Sequence, residues 1–486
     1  MTLAEADALV ATLPLLDGIS ADSRSAAPRI AFAAYPGNAR DGRDFIIDAI
    51  DRGTPAVVFE ARDFVWPARW QVAHASVDAL RSNVGTIASA VYGHPSRLLF
   101  MIGVTGTNGK TSCTHFIARA LDKCGRRSAV VGTLGSGFVD ALSLSSNTTP
   151  DACLLQQWFA RWRREGAAAV AMEVSSHGLD QGRVNGIEFD IALFTNLTRD
   201  HLDYHGTMAA YGEAKARLFA WPGLRAAVIN AADPFGETLI ERTRARGTRV
   251  LSYGTSDADI SATSIEARGS GMTIALRTPQ GTARLSTPLV GAFNVQNLQG
   301  VLGVLLASDI AQDDAIAALS TLDAPPGRMQ RFGGGGDPLV VVDYAHTPDA
   351  LAKVLDAMRP AVREDGRLVC VFGAGGDRDR GKRAPMGEVA GRLADRVVVT
   401  SDNPRSEDPR EIARAIAEGL IGAIAQWTIE LDRGRAIEQA IADACANDIV
   451  VVAGKGHEDY QEANGERRSF SDARCVADAL SRRRSR

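Results

Sequence analysis

The hydrophobic pattern along the chain is a series of short, unbroken apolar runs separated by stretches of helical period. Five runs occupy the middle of the chain: Leu98–Val104, Ala129–Val131, Ala167–Val174, Ile191–Phe194 and Ala226–Ile229. Four more follow at Leu339–Asp343, Leu368–Phe372, Arg396–Thr400 and Ile449–Ala453. A strand covered on both faces has no reason to alternate apolar with polar residues. Such runs between helices therefore predict parallel sheets with helices on both sides. Residues 1–92 carry two shorter runs, Ile30–Ala34 and Ala56–Phe59, which suggest a smaller α/β unit. Gly/Pro-rich seams at Tyr92–Pro95 and Ala324–Pro338 mark turns and loops, and they divide the chain into three segments. The fold class expected is α/β. In sheets of this kind ligands gather at the carboxyl ends of the strands.

Composition narrows the class. With 486 residues the chain exceeds one ordinary core, and 45% hydrophobic with 23% charged residues is normal for a soluble globular protein. The six cysteines form no CxxC pair, so they read as small buried residues in a reducing compartment, not as a disulfide framework or a zinc site. The start of the chain lacks a basic segment followed by an apolar run, and the apolar runs are too short to span a bilayer. A cytoplasmic location is expected. A net charge of −4 argues against a general nucleic-acid binder, and the basic end Arg482–Arg486 reads as a solvated tail.

Candidate chemistry begins just after the run at Leu98–Val104, with Thr105-Gly106-Thr107-Asn108-Gly109-Lys110-Thr111-Ser112 ahead of a helical stretch. Glycines let successive backbone N–H groups turn toward one anion, and the helix that follows adds its positive end. Lys110 would reach the terminal phosphates of a nucleotide, and the Thr111 hydroxyl would ligate magnesium. The strict GxxxxGK[ST] spacing is not met, because Val104 stands where its first glycine belongs. A tight turn with an exposed lysine is the plainer alternative, but strand, glycines, Lys-Thr and helix in that order favour the phosphate loop.

Glu173 lies near the carboxyl end of another apolar run, and a core strand rarely buries a carboxylate without a partner. His201 and His205 are four apart, yet Leu202 occupies the position where a zinc protease needs its glutamate, so that chemistry is rejected. Met208, Tyr211, Lys215 and Leu218 fall on one helical face, which puts a lysine in an apolar stripe. Such a lysine either snorkels to water or points into a site. In the second case its neutral amine can become a nucleophile, and with carbon dioxide it would form a metal-binding carbamate.

Taken in order, these motifs resemble those of the Mur ligases, cytoplasmic enzymes that build the peptidoglycan stem peptide. The matching stretches are Gly103–Ser112, Glu173–Leu179, Thr195–Gly206, Tyr211–Phe219, Gly291–Asn297, Pro326–Gln330, Asp343–Asp349, Asp402–Arg405 and Gly454–Glu458. The resemblance implies three domains: a UDP-substrate-binding one at 1–92, a central phosphate-loop ATPase at 93–326, and a Rossmann-like amino-acid-binding one at 327–486. It implies ATP and Mg2+ as cofactors, small-molecule substrates, no nucleic acid, no membrane insertion and a monomer. Lys110, Lys215, His201 and Glu173 would be catalytic. Thr111, Glu173, His201 and Lys215, the last carbamylated, would hold the metal. ATP would meet Gly106, Thr107, Asn108, Gly109, Lys110, Thr111, Ser112, Asn294, Asn297, Arg328, Asp343 and His346. Ser23, Thr148, Thr149, Ser175, Gln181 and Arg183 match positions that hold the UDP-muramoyl-dipeptide.

Asp402-Asn403-Pro404-Arg405 resembles the motif of family members that add meso-diaminopimelate to UDP-MurNAc-L-Ala-D-Glu. Arg405 can bind a carboxylate through two parallel hydrogen bonds, and Arg378 would add another contact. Glu458, with Gly454 in the same motif, could accept from the distal ammonium. A lysine substrate has no distal carboxylate and would leave such an arginine unpaired. The glycines at Gly373–Gly376 do not make a dinucleotide fingerprint, because Arg378 fills its sixth position. Two other readings stay open: a related ligase (a lysine-adding Mur ligase or a folylpolyglutamate synthase), and a non-catalytic nucleotide-binding regulator.

Overall fold

The computed structural model describes every residue except 39, 144–146, 269–270 and 485–486. The last pair lies in the basic tail, so that part of the expectation falls outside the described residues. The chain forms two compact units. One comprises Met1–Asn196, Ala209–Tyr253 and Gly300–Ala318; the other comprises Leu197–Met208, Gly254–Gln299 and Leu319–Arg486.

The first unit holds two sheets. Strands β1 (Gly18–Ser20), β2 (Ile30–Ala34), β3 (Ala56–Glu60) and β4 (Ala73–Val77) lie side by side in that order, all parallel. The larger sheet is built from β5 (Phe100–Thr105), β6 (Ser128–Gly132), β7 (Gly135–Phe138), β8 (Ala141–Ser143), β9 (Ala169–Glu173), β10 (Ile191–Phe194), β11 (Ala226–Asn230) and β12 (Arg249–Tyr253), in the order β12-β11-β10-β5-β9-β6-β7-β8. It is parallel from β12 to β6, and every residue of β6, β9, β10 and β11 is buried. That is why those strands read as unbroken apolar runs. The hairpin β7–β8 closes the edge antiparallel. Its glycine-rich sequence shows no apolar run, so the pattern did not reveal it.

The second unit carries an antiparallel sheet of β13 (Ser261–Arg268), β14 (Gly271–Thr278) and β15 (Gly281–Thr287). Along β14 buried and half-buried residues alternate, the signature of a sheet with one covered face. A search for unbroken runs passes over it. The C-terminal sheet consists of β16 (Gln330–Gly333), β17 (Leu339–Asp343), β18 (Leu368–Phe372), β19 (Arg396–Val399), β20 (Gln426–Ile429) and β21 (Ile449–Ala453), in the order β16-β17-β21-β18-β19-β20. Val341, Cys370 and Val451 point into one core with the helices Pro348–Met358 and Arg383–Leu393. Val340, Val369 and Val450 point into the opposite core with Arg433–Asp443 and Asp472–Arg484. Both faces are covered, as the runs predicted. A hairpin of β22 (Tyr460–Ala463) and β23 (Glu466–Ser469) completes the unit.

Two expectations are corrected. The seam at Ala324–Pro338 is not loop throughout, because it contains β16, which pairs antiparallel with β17 and turns back at Gly333, φ +73°. The run expected from Leu98 starts later. Pro95 begins a 3-10 turn that Leu98 ends, leaving Leu98 52% exposed.

Candidate functional site

In the first unit the loop after β5 is shaped by two glycines. Gly106 has φ +150°, and a Cβ there would sit 1.9 Å from Thr195 Oγ1. Gly109, φ +86°, leads directly into the helix Lys110–Lys123. Bonds to β10's carboxyl end hold the loop. The Thr107 amide donates to Asn196 O at 2.8 Å, the Asn108 amide to Asn196 Oδ1 at 2.9 Å, and Thr195 Oγ1 to Asn108 O at 2.6 Å. Lys110 Nζ folds back onto the carbonyls of Gly106 and Thr107, each at 2.8 Å. Thr111 and Ser112 are buried in the helix's first turn. The loop thus ends at a helix N-terminus with its lysine half-buried against loop carbonyls, so the plain exposed-lysine turn does not describe it.

Lys215 does not snorkel. It is 1% exposed, its Nζ donates to Gly106 O at 2.8 Å, and it lies 4.3 Å from the centre of the Tyr211 ring. Tyr211 in turn meets Thr107 through its hydroxyl at 3.3 Å. Of the expected stripe, Tyr211, Lys215 and Leu218 are buried and Met208 is half-buried, although Leu218 lies in the 3-10 turn Arg217–Ala220 that follows the helix Met208–Ala216; the lysine faces the loop.

Glu173 ends β9, which neighbours β5, and is 1% exposed. Its Oε1 accepts from the Thr133 amide at 2.8 Å and its Oε2 from the Thr133 hydroxyl at 3.3 Å. Gly132 is needed for that approach, because a Cβ there would stand 2.3 Å from Glu173 Oε1. Thr133 Oγ1 touches Thr148 Oγ1 at 3.1 Å. Thr149 Oγ1 bonds Glu173 O and Ser175 Oγ, and Arg183 donates to Thr149 O at 2.8 Å and to Gln181 Oε1. Five of the six residues expected to hold the muramoyl substrate are therefore joined to Glu173 in one network. Ser23, the sixth, opens the short turn Ser23–Ser25 beyond β1. Sequence reading missed Thr133, which carries the carboxylate; nothing in its surroundings marks it.

In the second unit a cradle forms at the carboxyl ends of β19 and β21. Asp402 and Asn403 are buried. Gly373 and Gly376 allow two close approaches, since a Cβ would meet Thr400 O at 2.2 Å and Pro404 O at 1.9 Å. Arg405 has a left-handed backbone, φ +51°, and its guanidinium donates to Gly376 O at 2.8 Å. Arg378 is exposed on the same loop. Glu458 Oε2 accepts from Lys455 Nζ at 2.9 Å and from Asn403 Nδ2 at 2.8 Å. Beneath, the buried pair Arg433–Asp472 meets at 2.7 Å, and Arg433 donates to the Ala453 carbonyl at 2.9 Å, just ahead of Gly454.

Arg328, Asp343 and His346 come together beside this cradle. Asp343 accepts from the amides of Met329 and Ala345, both at 2.8 Å, while burial pushes its carboxyl up. Arg328 lies 4.5 Å from the centre of the Tyr344 ring, and Gly327 packs against the backbone of Gly456 and His457. Burial, then Lys382, push the His346 imidazole below its ordinary value. Asn294 and Asn297 bond each other at 3.2 Å on one face of the helix Ala292–Ala307. His201 has a left-handed backbone, φ +52°, at the start of the helix Leu202–His205. Its neighbour Asp200 is half-buried, which alone would raise its carboxyl. His201, His346 and Lys382 outweigh that and hold it below the usual range.

Among the described residues no group of three or more His, Cys, Asp and Glu side chains converges as a metal site. The donors present near the loop are instead a hydroxyl and a carboxylate, Thr111 and Glu173, a hard oxygen set that suits magnesium.

A glycine-turned loop leading into a helix on a parallel sheet, with buried acid and lysine beside it, is the arrangement of a nucleotide-using enzyme. The chain matches the Mur ligase family, catalytic domain over residues 16–92, the Mur ligase middle domain over 104–305, and the Mur ligase, glutamate ligase domain over 327–456. It is 52% identical to the UDP-N-acetylmuramoyl-L-alanyl-D-glutamate–2,6-diaminopimelate ligase of Ectopseudomonas mendocina, over 96% of this chain and 95% of that one. With the ligase of the same name from Chromobacterium violaceum it shares 49% identity over 95% and 94%. A solved structure of a ligase of that name aligns with a TM-score of 0.69 and 37% identity, covering 96% of this chain and 95% of that one. The chain belongs to the Mur ligase family. A folylpolyglutamate synthase from Mycobacterium tuberculosis, at 21% identity and a TM-score of 0.63 over 76% of this chain and 91% of that one, shares the fold.

Proposed function

We propose that this chain is an ATP-dependent amide ligase that adds meso-diaminopimelate to UDP-MurNAc-L-Ala-D-Glu through an acyl phosphate, acting in the cytoplasm as a monomer. The observation that carries this reading is 49–52% identity, over nearly the whole chain, to ligases named for that reaction. The matched segments support boundaries at 1–92, 93–326 and 327–486. Among the described residues no helix is long and apolar enough to cross a membrane.

A carboxylate oxygen of the dipeptide's D-glutamate attacks the γ-phosphorus of ATP. The bond to the β,γ-bridging oxygen breaks, and ADP leaves. This step depends on positioning and charge neutralisation, which the loop amides and Lys110 supply. The amine of diaminopimelate then attacks the acyl carbon, loses a proton, and inorganic phosphate leaves with its electron pair. Thr149, Ser175, Gln181 and Arg183 orient the dipeptide, and Arg405 and Glu458 the amino acid. Thr111 and Glu173, with His201 and Lys215, would hold magnesium, which when bound offsets phosphate charge. Carbamylation of Lys215 would join Nζ to the carbon of CO2 with loss of two protons, one from the ammonium and one as the N–C bond forms, turning a cation into an anionic ligand.

The test is phosphate release with ATP, magnesium and UDP-MurNAc-L-Ala-D-Glu, comparing meso-diaminopimelate with L-lysine. Release with diaminopimelate alone is expected. Preference for lysine would keep the ligase and overturn the specificity; silence with both would overturn the ligase itself.

A further inference from the structure

We propose that Lys455 is a positioning and specificity residue for the incoming amino acid, acting through Glu458 and Asn403. The proposal rests on the ligase reading above. Lys455 is 0% exposed, an unusual place for a lysine that neither belongs to the phosphate loop nor faces water. Its Nζ donates to Asn403 Oδ1 at 3.0 Å and Glu458 Oε2 at 2.9 Å, and lies 3.6 Å from Asp402 Oδ1. Asn403 Nδ2 also donates to Glu458 Oε2, at 2.8 Å. Each of the three side chains is therefore bonded to the other two, a closed triangle that fixes all of them. The Glu462 amide, donating to Asn403 Oδ1 at 2.9 Å, and the Tyr460 ring, 5.4 Å from the ammonium, tie the triangle to the hairpin β22–β23.

The triangle has a chemical consequence. It occupies Oε2 of Glu458 and leaves Oε1 as the oxygen that can accept from a ligand. Arg405, with one guanidinium nitrogen on Gly376 O, offers its others to a carboxylate. One acceptor pole and one cationic pole suit an amino-acid head group that carries ammonium and carboxylate on the same carbon. A bare side-chain ammonium satisfies only the first pole. Lys455 also neutralises one of the two carboxylates beside it, Asp402 and Glu458. Without it the acceptor pole is more negative and free to turn, a site that favours a simple cation. A buried ion pair replaced whole by hydrophobes of similar volume is often lost at little cost, but removing Lys455 alone leaves Asp402 and Glu458 uncompensated. A purely structural charge would then damage all substrates alike, whereas one that holds a ligand-binding pole damages the amino-acid step selectively.

The experiment is steady-state kinetics of Lys455→Met with each substrate varied in turn. The KM for meso-diaminopimelate should rise roughly tenfold or more while that for ATP stays within about twofold. The preference for diaminopimelate over L-lysine in kcat/KM should fall by about tenfold or more, the range expected when a buried polar partner is lost. Combined with Glu458→Gln, the loss should be far from additive, because the lysine acts through that carboxylate. If Lys455→Met does not fold, Lys455→Gln, which keeps an amide for Asn403, reads the same ratios. Equal rises in both KM values, a fall in kcat alone, or additivity with Glu458→Gln would overturn the proposal. The wild-type substrate profile judges the ligase reading, and the variant-to-wild-type ratio judges this one.

Discussion

The loop of the first unit, proposed to hold phosphate, and the cradle of the second, proposed to hold the amino acid, are built from different materials. The loop is mostly backbone. Gly106 and Gly109 turn it, amides and carbonyls of residues 106–108 face β10, and the lysines meet carbonyl oxygens. The cradle is mostly ionised side chains: Lys455, Asp402 and Glu458 above, Arg433 and Asp472 beneath. A site of backbone dipoles accepts any nucleotide phosphate and is fixed by chain geometry. A site of paired charges can tell one amino acid from another, and each charge depends on a partner to remain buried.

The largest effects should come from the lysines of the loop. Lys110→Ala should lower kcat by about 10²–10³-fold with little change in melting temperature, since it removes charge stabilisation and no core volume. Lys215→Ala should abolish most turnover while circular dichroism stays native; near-native rates would sink the carbamate proposal. In the cradle, Arg405→Ala should raise the KM for diaminopimelate and spare that for ATP, by roughly 10²-fold or more where a site is left with unpaired polar groups. Equal damage to both KM values would erase the contrast between the two regions.

Gly106→Ala should reduce stability by about 1–3 kcal/mol and weaken ATP binding, because the added Cβ collides with Thr195 Oγ1 and φ is positive. Thermal melting with and without ATP reads both effects. The smallest effect concerns acid. Arg383 beside Glu407 holds that carboxyl below its ordinary 4.5. The folded value is depressed, so the stabilisation is in place above 4.5 and is lost as pH falls through the lower folded value. Glu407→Gln should flatten the acid limb of melting temperature against pH, and an unchanged limb would show the ion pair to be idle.

The two regions were also unequally legible. The loop is contiguous, with glycines, Lys-Thr and a following helix at fixed spacing, and Lys215 stood out because it broke an apolar stripe. Glu173 stood out as an acid in a core strand. For the cradle, sequence gave the motif at Asp402–Arg405 and the one at Gly454–Glu458, but not that Lys455 joins them. Those residues are about fifty positions apart, and only the pairing of β18 with both β19 and β21 brings the two strand ends close.

Local chemistry thus determined the α/β class, the strands buried on both faces, the phosphate loop and the residue types around it, because hydrophobic period and glycine placement act over a few residues. Tertiary structure alone decided that Lys215 faces the loop instead of water, that Thr133 carries Glu173, and that Lys455 closes a triangle with Asn403 and Glu458. It also decided the short strands β7, β8 and β16, whose sequences have no apolar run of their own. The reason is the same in each case: burial and pairing depend on which distant element arrives to cover a residue, and no local pattern contains that information.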